Sequence, residues 1–554
     1  MSPQLPGDST FTGIGVSPGV AFGPVFRIRH QTVTAAVPAT LAEVLSALEG
    51  VADELERRAV EVSIEVAREV LEAQAMIARD PALVEAIEAR LEADRTHPDV
   101  RVEIRGAFAG FRSALEALGG YFAERVNDLD EIADRTIASL AGISMDSATL
   151  TVPSVIVADD LTPADTAALD LRYALALVVA KGGPTSHTAI VARGLGIPAV
   201  VGCTGIDTVV DGKPLLVDGR EGVAIVNAVE GEVTARQVRE EALRARAAAV
   251  TGPGRLSDGT PVTLLANAGN VDAAVRAAAA GAEGIGLFRT ELLFLDRATE
   301  PSIEEQAKLY EAVFNTMAGR RVVVRTLDAG SDKPVPFLAS EPEENPALGV
   351  RGWRLNRINN DVINRQLQAL AMAASASTAD VWVMAPMIDL PSEAADFAHR
   401  ARELGLRHVG VMVETPAAAI LADRVLAEVD FGSLGTNDLT QYVMAADRLD
   451  ARLADLTTSW HPAVLRAISI AAKHAQALSR PLGVCGEAAA DPKLAAVLVG
   501  LGVSSLSMTP SALAEVRGFL STVDRATCVR AAELALTTGS AHEAKLAATE
   551  VLGD

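Results

Sequence analysis

The chain has 554 residues, room for three to four domains at about 150 residues each, so its folding needs no disulfide or metal staple. Hydrophobic residues make up 49% and charged residues 22%, the balance of a globular chain, and 49 Lys and Arg against 72 Asp and Glu give a formal charge of −23, which speaks against general nucleic-acid binding. The three scattered cysteines, Cys203, Cys485 and Cys528, form no C-x-x-C, which disfavours a zinc knuckle or disulfide framework and suits a reducing cytoplasm.

Met1 to Thr12 is polar and has no apolar run of the signal-peptide kind. Gly13 to Val25 is Gly-rich and apolar and reads as strand and turn. From Leu41 to Gly142 Ala, Glu, Arg and Leu recur at helical spacing, and Asp80-Pro81 starts a new helix with Asp as cap and Pro at the first helical position. This predicts an antiparallel helical bundle. From Pro153 to Asn227 the period shortens to β-like runs around one helical segment, Thr188 to Gly196. That is a small α/β domain, and the β-like Gly13 to Val25 places the bundle as an insertion into it. Gly231 to Val250 is a charged helix without a strong apolar face, ended by Thr251-Gly252-Pro253-Gly254, and reads as an interdomain linker.

From Val262 onward eight β-like runs alternate with helical patterns, beginning near residues 262, 284, 321, 381, 408, 431, 481 and 504. Strand–helix alternation gives parallel β, and eight units close a (β/α)₈ barrel. The uncharged stretch Leu494 to Ala514 contains glycines, serines and Pro510 and reads as buried helix–turn–strand, not as a membrane span. The predicted fold class is therefore multidomain α/β: a C-terminal barrel plus a small α/β domain carrying an inserted helical bundle.

Active sites of such barrels lie at the C-terminal ends of the strands. Here strand two ends in Arg289, strand three carries Arg325 and then Asp328, Glu414 closes strand five, Asn437 and Asp438 close strand six, and Cys485 closes strand seven. Arg351 and Arg448 fall in loops or helix starts. Arginine forks grip phosphate and carboxylate bidentately, Mg²⁺ takes one or two carboxylates, and a thiol can give or take a proton. The set suits a small ligand bearing both anions. A second constellation is Lys181-Gly-Gly-Pro-Thr-Ser-His-Thr-Ala-Ile190. A strand ends at a double glycine, and Thr185 or Ser186 can cap a helix beginning near His187. A His at a helix N-terminus faces free N–H groups and the positive end of the dipole, a place that accepts phosphate.

Residues 182–202 (GGPTSHTAIVARGLGIPAVVG) resemble the phosphohistidine motif of Enzyme I, the phosphoenolpyruvate–protein phosphotransferase family of the bacterial sugar phosphotransferase system. Residues 281–297, 325–334, 343–352, 410–419, 431–448 and 483–487 resemble that family's barrel motifs in the same order. The resemblance implies a phosphohistidine domain over 1–28 and 147–229, a helical carrier-binding domain over 29–146, a linker helix over 230–254, and a phosphoenolpyruvate-binding and dimerisation barrel over 255–554. It implies that His187 is phosphorylated, that Arg289, Arg325, Arg351, Lys333, Asn437 and Arg448 bind phosphoenolpyruvate, that Glu414 and Asp438 hold Mg²⁺, and that Cys485 protonates the enolpyruvate carbon. The phosphoryl group would pass on to the carrier protein HPr, docked on helices including Tyr121 to Arg135, in a cytoplasmic homodimer. Gln74 stands where relatives often carry His, and Gly432 where Phe is common. Pyruvate phosphate dikinase and phosphoenolpyruvate synthase share both domains but need an ATP-binding domain, and no Gly-rich nucleotide loop precedes His187. A scaffold that only binds partners would have no use for the full set of Arg, Glu, Asn, Asp, Cys and His.

Overall fold

Apolar runs rich in Val, Leu, Ile and Ala, cut by Gly and Asp, set the strands of this chain, and Ala- and Glu-rich segments its helices. The computed structural model describes residues 9–28, 33–61, 65–93, 99–118, 126–143, 150–161, 165, 172–183, 186–294, 297, 299–330, 335, 337–338, 343–448, 450, 453 and 455–553. Two compact units divide at Glu241/Ala242.

The first unit holds an eight-stranded sheet: β1 (Ser9–Thr12), β2 (Ile14–Ser17), β3 (Val20–Arg27), β4 (Ser154–Ala158), β5 (Ala174–Val179), β6 (Ala199–Val201), β7 (Pro214–Asp218) and β8 (Val223–Val226). Its order is β1-β8-β7-β3-β4-β5-β6-β2. The β3, β4, β5 and β6 core is parallel, whereas β7, β8, β1 and β2 pair antiparallel at the two sides. The glycines of the N-terminal segment are there for close approach. A Cβ on Gly15 would stand 2.2 Å from the carbonyl oxygen of Gly219, and one on Gly219 2.0 Å from that of Ser17.

Between β3 and β4 come helices Leu41–Glu61, Glu65–Ala78, Pro81–Ala93, Val100–Leu118 and Val126–Leu140, the inserted bundle. Val44, Leu48, Val51, Leu55 and Ala59 fall three or four residues apart on one face and are buried with Leu83, Ile87, Ile104, Phe108 and Ile132 in one core. Helix Glu230–Ala249 buries only Val233 and Glu240, as its charged sequence requires, and the boundary between the units lies within it.

The second unit is a closed barrel of parallel strands: β9 (Thr263–Ala268), β10 (Gly284–Arg289), β11 (Arg321–Arg325), β12 (Asp380–Ala385), β13 (His408–Val413), β14 (Phe431–Leu434), β15 (Leu482–Val484) and β16 (Ser505–Met508). Pairing of β16 with β9 completes the ring. One set of side chains packs outward against the helices, and Leu287, Val323, Met384, Met412, Phe431 and Cys485 form a separate inner cluster. The stretch Leu494 to Ala514 is buried helix Pro492–Leu501 followed by β16. Among the described residues no helix is long and apolar enough to cross a membrane.

Three points differ from the sequence reading. Asn437 and Asp438 do not close a strand, because β14 stops at Leu434 and both residues stand in the first turn of helix Thr436–Met444. The polar stretch before Gly13 supplies β1, paired along β8 at the sheet edge. Helices Arg525–Thr537 and Ala541–Leu552 extend the barrel's helical shell, with Cys528 packed in its core.

Leu55→Ala leaves a void in the bundle core and is expected to destabilise the first unit by about 3 kcal/mol, measured by urea unfolding followed through helical circular dichroism.

Candidate active site

Parallel strands bring their C-terminal ends to one rim of the barrel, and the polar residues collect where the apolar runs stop. Arg289 ends β10 and Arg325 ends β11, while Glu414 directly follows β13 and Cys485 directly follows β15. Arg351 precedes the 3₁₀ turn Gly352–Arg357. Together these positions place charges of both signs in a largely water-free site.

Asp328, fully buried, is the centre of the array. Its carboxylate accepts from Arg351 through Nε at 3.1 Å and Nη2 at 2.8 Å, and pairs with Arg325 Nη1 at 2.9 Å. Arg325 pairs through its other nitrogen with Glu291. Arg351 Nη1 donates to Asp438 Oδ1 at 3.0 Å, and Arg448 Nη1 reaches Asp438 Oδ2 at 3.5 Å. Tyr442, one helical turn after Asp438, stands 3.5 Å from Arg351 Nη1 and donates its hydroxyl to the carbonyl of Ala347. Burial opposes the charge on Arg325, but Glu291, Asp328 and Glu414 outweigh it, and its pKa is raised. Both guanidiniums are therefore fixed cations with carboxylate partners that an incoming anion can challenge.

Glu414 is held differently. Its Oε1 accepts from the Met387 amide at 2.7 Å, and Met387 takes φ +55° to present it. Its Oε2 is buried without a hydrogen-bond partner. Gly435 leaves that oxygen its space, since a Cβ there would stand 2.6 Å from it. Burial, then Asp438 and Asp328, pushes the Glu414 carboxyl up to about 7. A buried carboxylate oxygen without a donor is costly unless a cation meets it. Among the described residues no three His, Cys, Asp or Glu side chains form a ready-made metal cage. A cation that takes two carboxylates and fills its shell with water and ligand oxygens still fits Glu414 and Asp438.

Burial pushes the Cys485 thiol up to about 11, opposed by a hydrogen bond with Ser433. Its Sγ lies 3.6 Å from the carbonyl of Leu434. The group is a protonated acid at neutral pH and not a ready nucleophile. Asn437 Oδ1 accepts from the Glu487 amide at 3.0 Å. Arg289 is half-buried and makes no hydrogen bond or ion pair with a described residue. Lys333 lies outside the described residues, as do Pro184, Thr185 and the start of the Tyr121 to Arg135 segment.

In the first unit β5 ends at Val179, and the chain continues through Lys181, whose ammonium pairs with Asp159 on the surface, to Gly182 at φ +89°. Helix His187–Leu195 follows. Ser186 caps it, its Oγ accepting from the Ala189 amide at 3.3 Å, and Gly196 at φ +67° closes it. His187 is the first helical residue, where backbone N–H groups have no carbonyl to meet.

The barrel rim thus unites Arg325, Arg351, Arg448 and Asp438 in one ion-pair network, with Glu414 and Cys485 in its field. Sequence reasoning placed Asp328 at the end of strand three without its partners, and assigned no role to Glu291, Tyr442 or Ser433. Two of them carried a signal: Glu291 is two residues beyond Arg289, and Tyr442 is one turn along the face of Asp438.

A parallel barrel with this rim defines an enzyme that handles a small, doubly anionic ligand. Family models agree: residues 244–525 match the PEP-binding domain of PEP-utilising enzymes, 150–222 their mobile domain and 12–125 their N-terminal domain. The chain is 46% identical to a phosphoenolpyruvate-protein phosphotransferase of Streptomyces coelicolor, over 98% of this chain and 99% of that one. It is 36% identical to one of Geobacillus stearothermophilus, over 97% of each. An NMR solution structure of Enzyme I matches 42% of this chain at 31% identity and a TM-score of 0.37. The chain belongs to the phosphoenolpyruvate-protein phosphotransferase family.

Asp328→Ala is expected to cost about 3 kcal/mol in urea unfolding, because it leaves Arg325 and Arg351 buried with one carboxylate fewer. Glu414→Gln removes an unsatisfied buried charge. We expect the variant to melt no lower than the parent at pH 8, read by thermal unfolding without added metal.

Proposed function

We propose that this chain moves a phosphoryl group from phosphoenolpyruvate to His187 and from there to the carrier HPr, with pyruvate released. The chain is a phosphoenolpyruvate-dependent phosphotransferase. The observation that carries the site assignment is the buried pair Arg325 and Arg351, held by Asp328 beside the unpartnered oxygen of Glu414. Two anionic ends of one small ligand fit that pair, with Arg289, Arg448 and Asn437 near them, and Lys333 would assist in binding.

Arg325 and Arg351 offer fixed forks to phosphate and carboxylate, so little reorganisation is needed as charge moves between the ends of the ligand. Glu414 and Asp438 would hold Mg²⁺, which would neutralise phosphate charge and favour transfer of the phosphoryl group. The imidazole of His187 attacks phosphorus in line as the enolate leaves. The N-terminal end of helix His187–Leu195, the positive end of its dipole, would favour the negative charge of a phosphohistidine. Cys485 gives its proton to the enolate carbon, which its buried, protonated thiol is suited to do.

The domain roles follow the chemistry. Residues 1–28 and 147–229 carry the phosphohistidine, 29–146 receive the basic carrier on an acidic chain, 230–254 link, and 255–554 bind substrate and form a homodimer. The protein works in the cytoplasm, where phosphoenolpyruvate is at hand.

Phosphoenolpyruvate labelled in its phosphate, with Mg²⁺ and no carrier, is expected to leave acid-labile, base-stable label on the protein. His187→Ala abolishes it. Label acquired from ATP instead would overturn the assignment in favour of dikinase chemistry, and no label from either donor on a folded chain would leave a scaffold.

A further inference from the structure

Between the barrel wall and helices Ile303–Thr316 and Asn360–Ala376 lies a buried polar cluster. β11 stops at Arg325, yet the chain stays buried from Thr326 through Ala329. Backbone groups taken from water must find partners, and past the end of a strand the ladder no longer supplies them all. The Thr326 amide still donates to the Met384 carbonyl of β12 at 2.9 Å. The Leu327 amide turns instead to a side chain and donates to Gln366 Oε1 at 2.8 Å.

Gln366 is 2% exposed and shares its helix face with the buried Val362, Ile363, Leu367 and Leu370. An amide in such a place is costly unless its polar atoms are paired. Here both are. Besides the Leu327 bond to its oxygen, Nε2 donates to Thr290 Oγ1 at 3.0 Å and to the Tyr310 hydroxyl at 3.1 Å. Turning the amide over would set donor against donor at Leu327, so it sits one way round.

The cluster also has a direction. Thr290 accepts from Gln366 and donates its own hydroxyl to the Arg325 carbonyl at 2.9 Å. Tyr310 accepts from Gln366 and donates to Gln306 Oε1 at 3.1 Å, and Gln306 Nε2 donates to the Pro301 carbonyl at 3.0 Å. Gln366 therefore holds the main chain on both sides of Thr326: the Arg325 carbonyl through Thr290, and the Leu327 amide directly. Glu291, next after Thr290, pairs with the Arg325 guanidinium, so two neighbouring residues fix Arg325 at its backbone and at its tip.

We propose that Gln366 is a positioning residue for the substrate site, setting the backbone from Arg325 to Asp328 and with it the aim of the Arg325 fork. It stands behind β11 and acts through Thr290 and Leu327. The inference rests on Arg325 as a ligand-binding fork of the proposed reaction. A guanidinium that grips an anion through two nitrogens tolerates little displacement. Apolar packing alone would bury residues 326–329 without choosing how they are turned, whereas directed hydrogen bonds choose it.

The test measures the dissociation constant of phosphoenolpyruvate with Mg²⁺ by calorimetry, beside the melting temperature of each protein. The full chain carries His187→Ala throughout, so that no phosphoryl group is transferred. Gln366→Met keeps length and loses every hydrogen bond, and Thr290→Val keeps shape and loses the hydroxyl. Each is expected to raise the constant roughly tenfold. Thr290→Ser, which keeps the hydroxyl, restores it. Tyr310→Phe removes a bond at the far end of the cluster, lowers the melting temperature and leaves the constant unchanged. An unchanged constant in Thr290→Val or in a folded Gln366→Met overturns the positioning role. So does a constant that rises as far in Tyr310→Phe, because binding would then follow stability alone. Should Gln366→Met fail to fold, the Val and Ser variants of Thr290 decide. A parent that folds and does not bind phosphoenolpyruvate overturns the substrate-site reading, and this inference with it.

Discussion

The active site depends on one buried carboxylate, Asp328, placed between two buried arginines. Charges removed from water must be paired, and Asp328 pairs Arg325 and Arg351 at once. Such an arrangement gives little net stability compared with an apolar core. What it provides is position: two guanidiniums held at a barrel rim in one orientation, with Glu291 also on Arg325 and Asp438 and Tyr442 also on Arg351. Everything proposed for ligand binding relies on those forks being in place before the ligand arrives.

Glu414 and Cys485 show how the same low-dielectric rim sets proton affinities in opposite service. Burial raises both. For the carboxylate this creates a demand for a cation, sharpened by an oxygen without a donor. For the thiol it keeps a proton in place until a stronger base forms next to it. A carboxylate that wants a cation and an acid that keeps its proton are the two things that enolate chemistry on a phosphorylated ligand calls for, and one environment supplies both.

Much of this protein was legible in the sequence. Period and punctuation located the eight barrel strands, the helical insertion and the charged helix at 230–249, because apolar patterning is local and each run must bury one face. The rim residues were legible one at a time, since polar groups at the ends of apolar runs stand out. Their partnerships were not. Arg351 reaches Asp328, 23 residues away, because the segment after β11 folds back on itself, and it reaches Asp438, 87 residues away, because the sheet curves into a barrel. The placement of Asn437 and Asp438 in a helix turn and the left-handed Met387 that satisfies one oxygen of Glu414 were likewise tertiary decisions. Local chain statistics specify which residues are inside and which elements they form. Which buried charge meets which, and which buried oxygen meets none, follows from through-space geometry that no local pattern encodes.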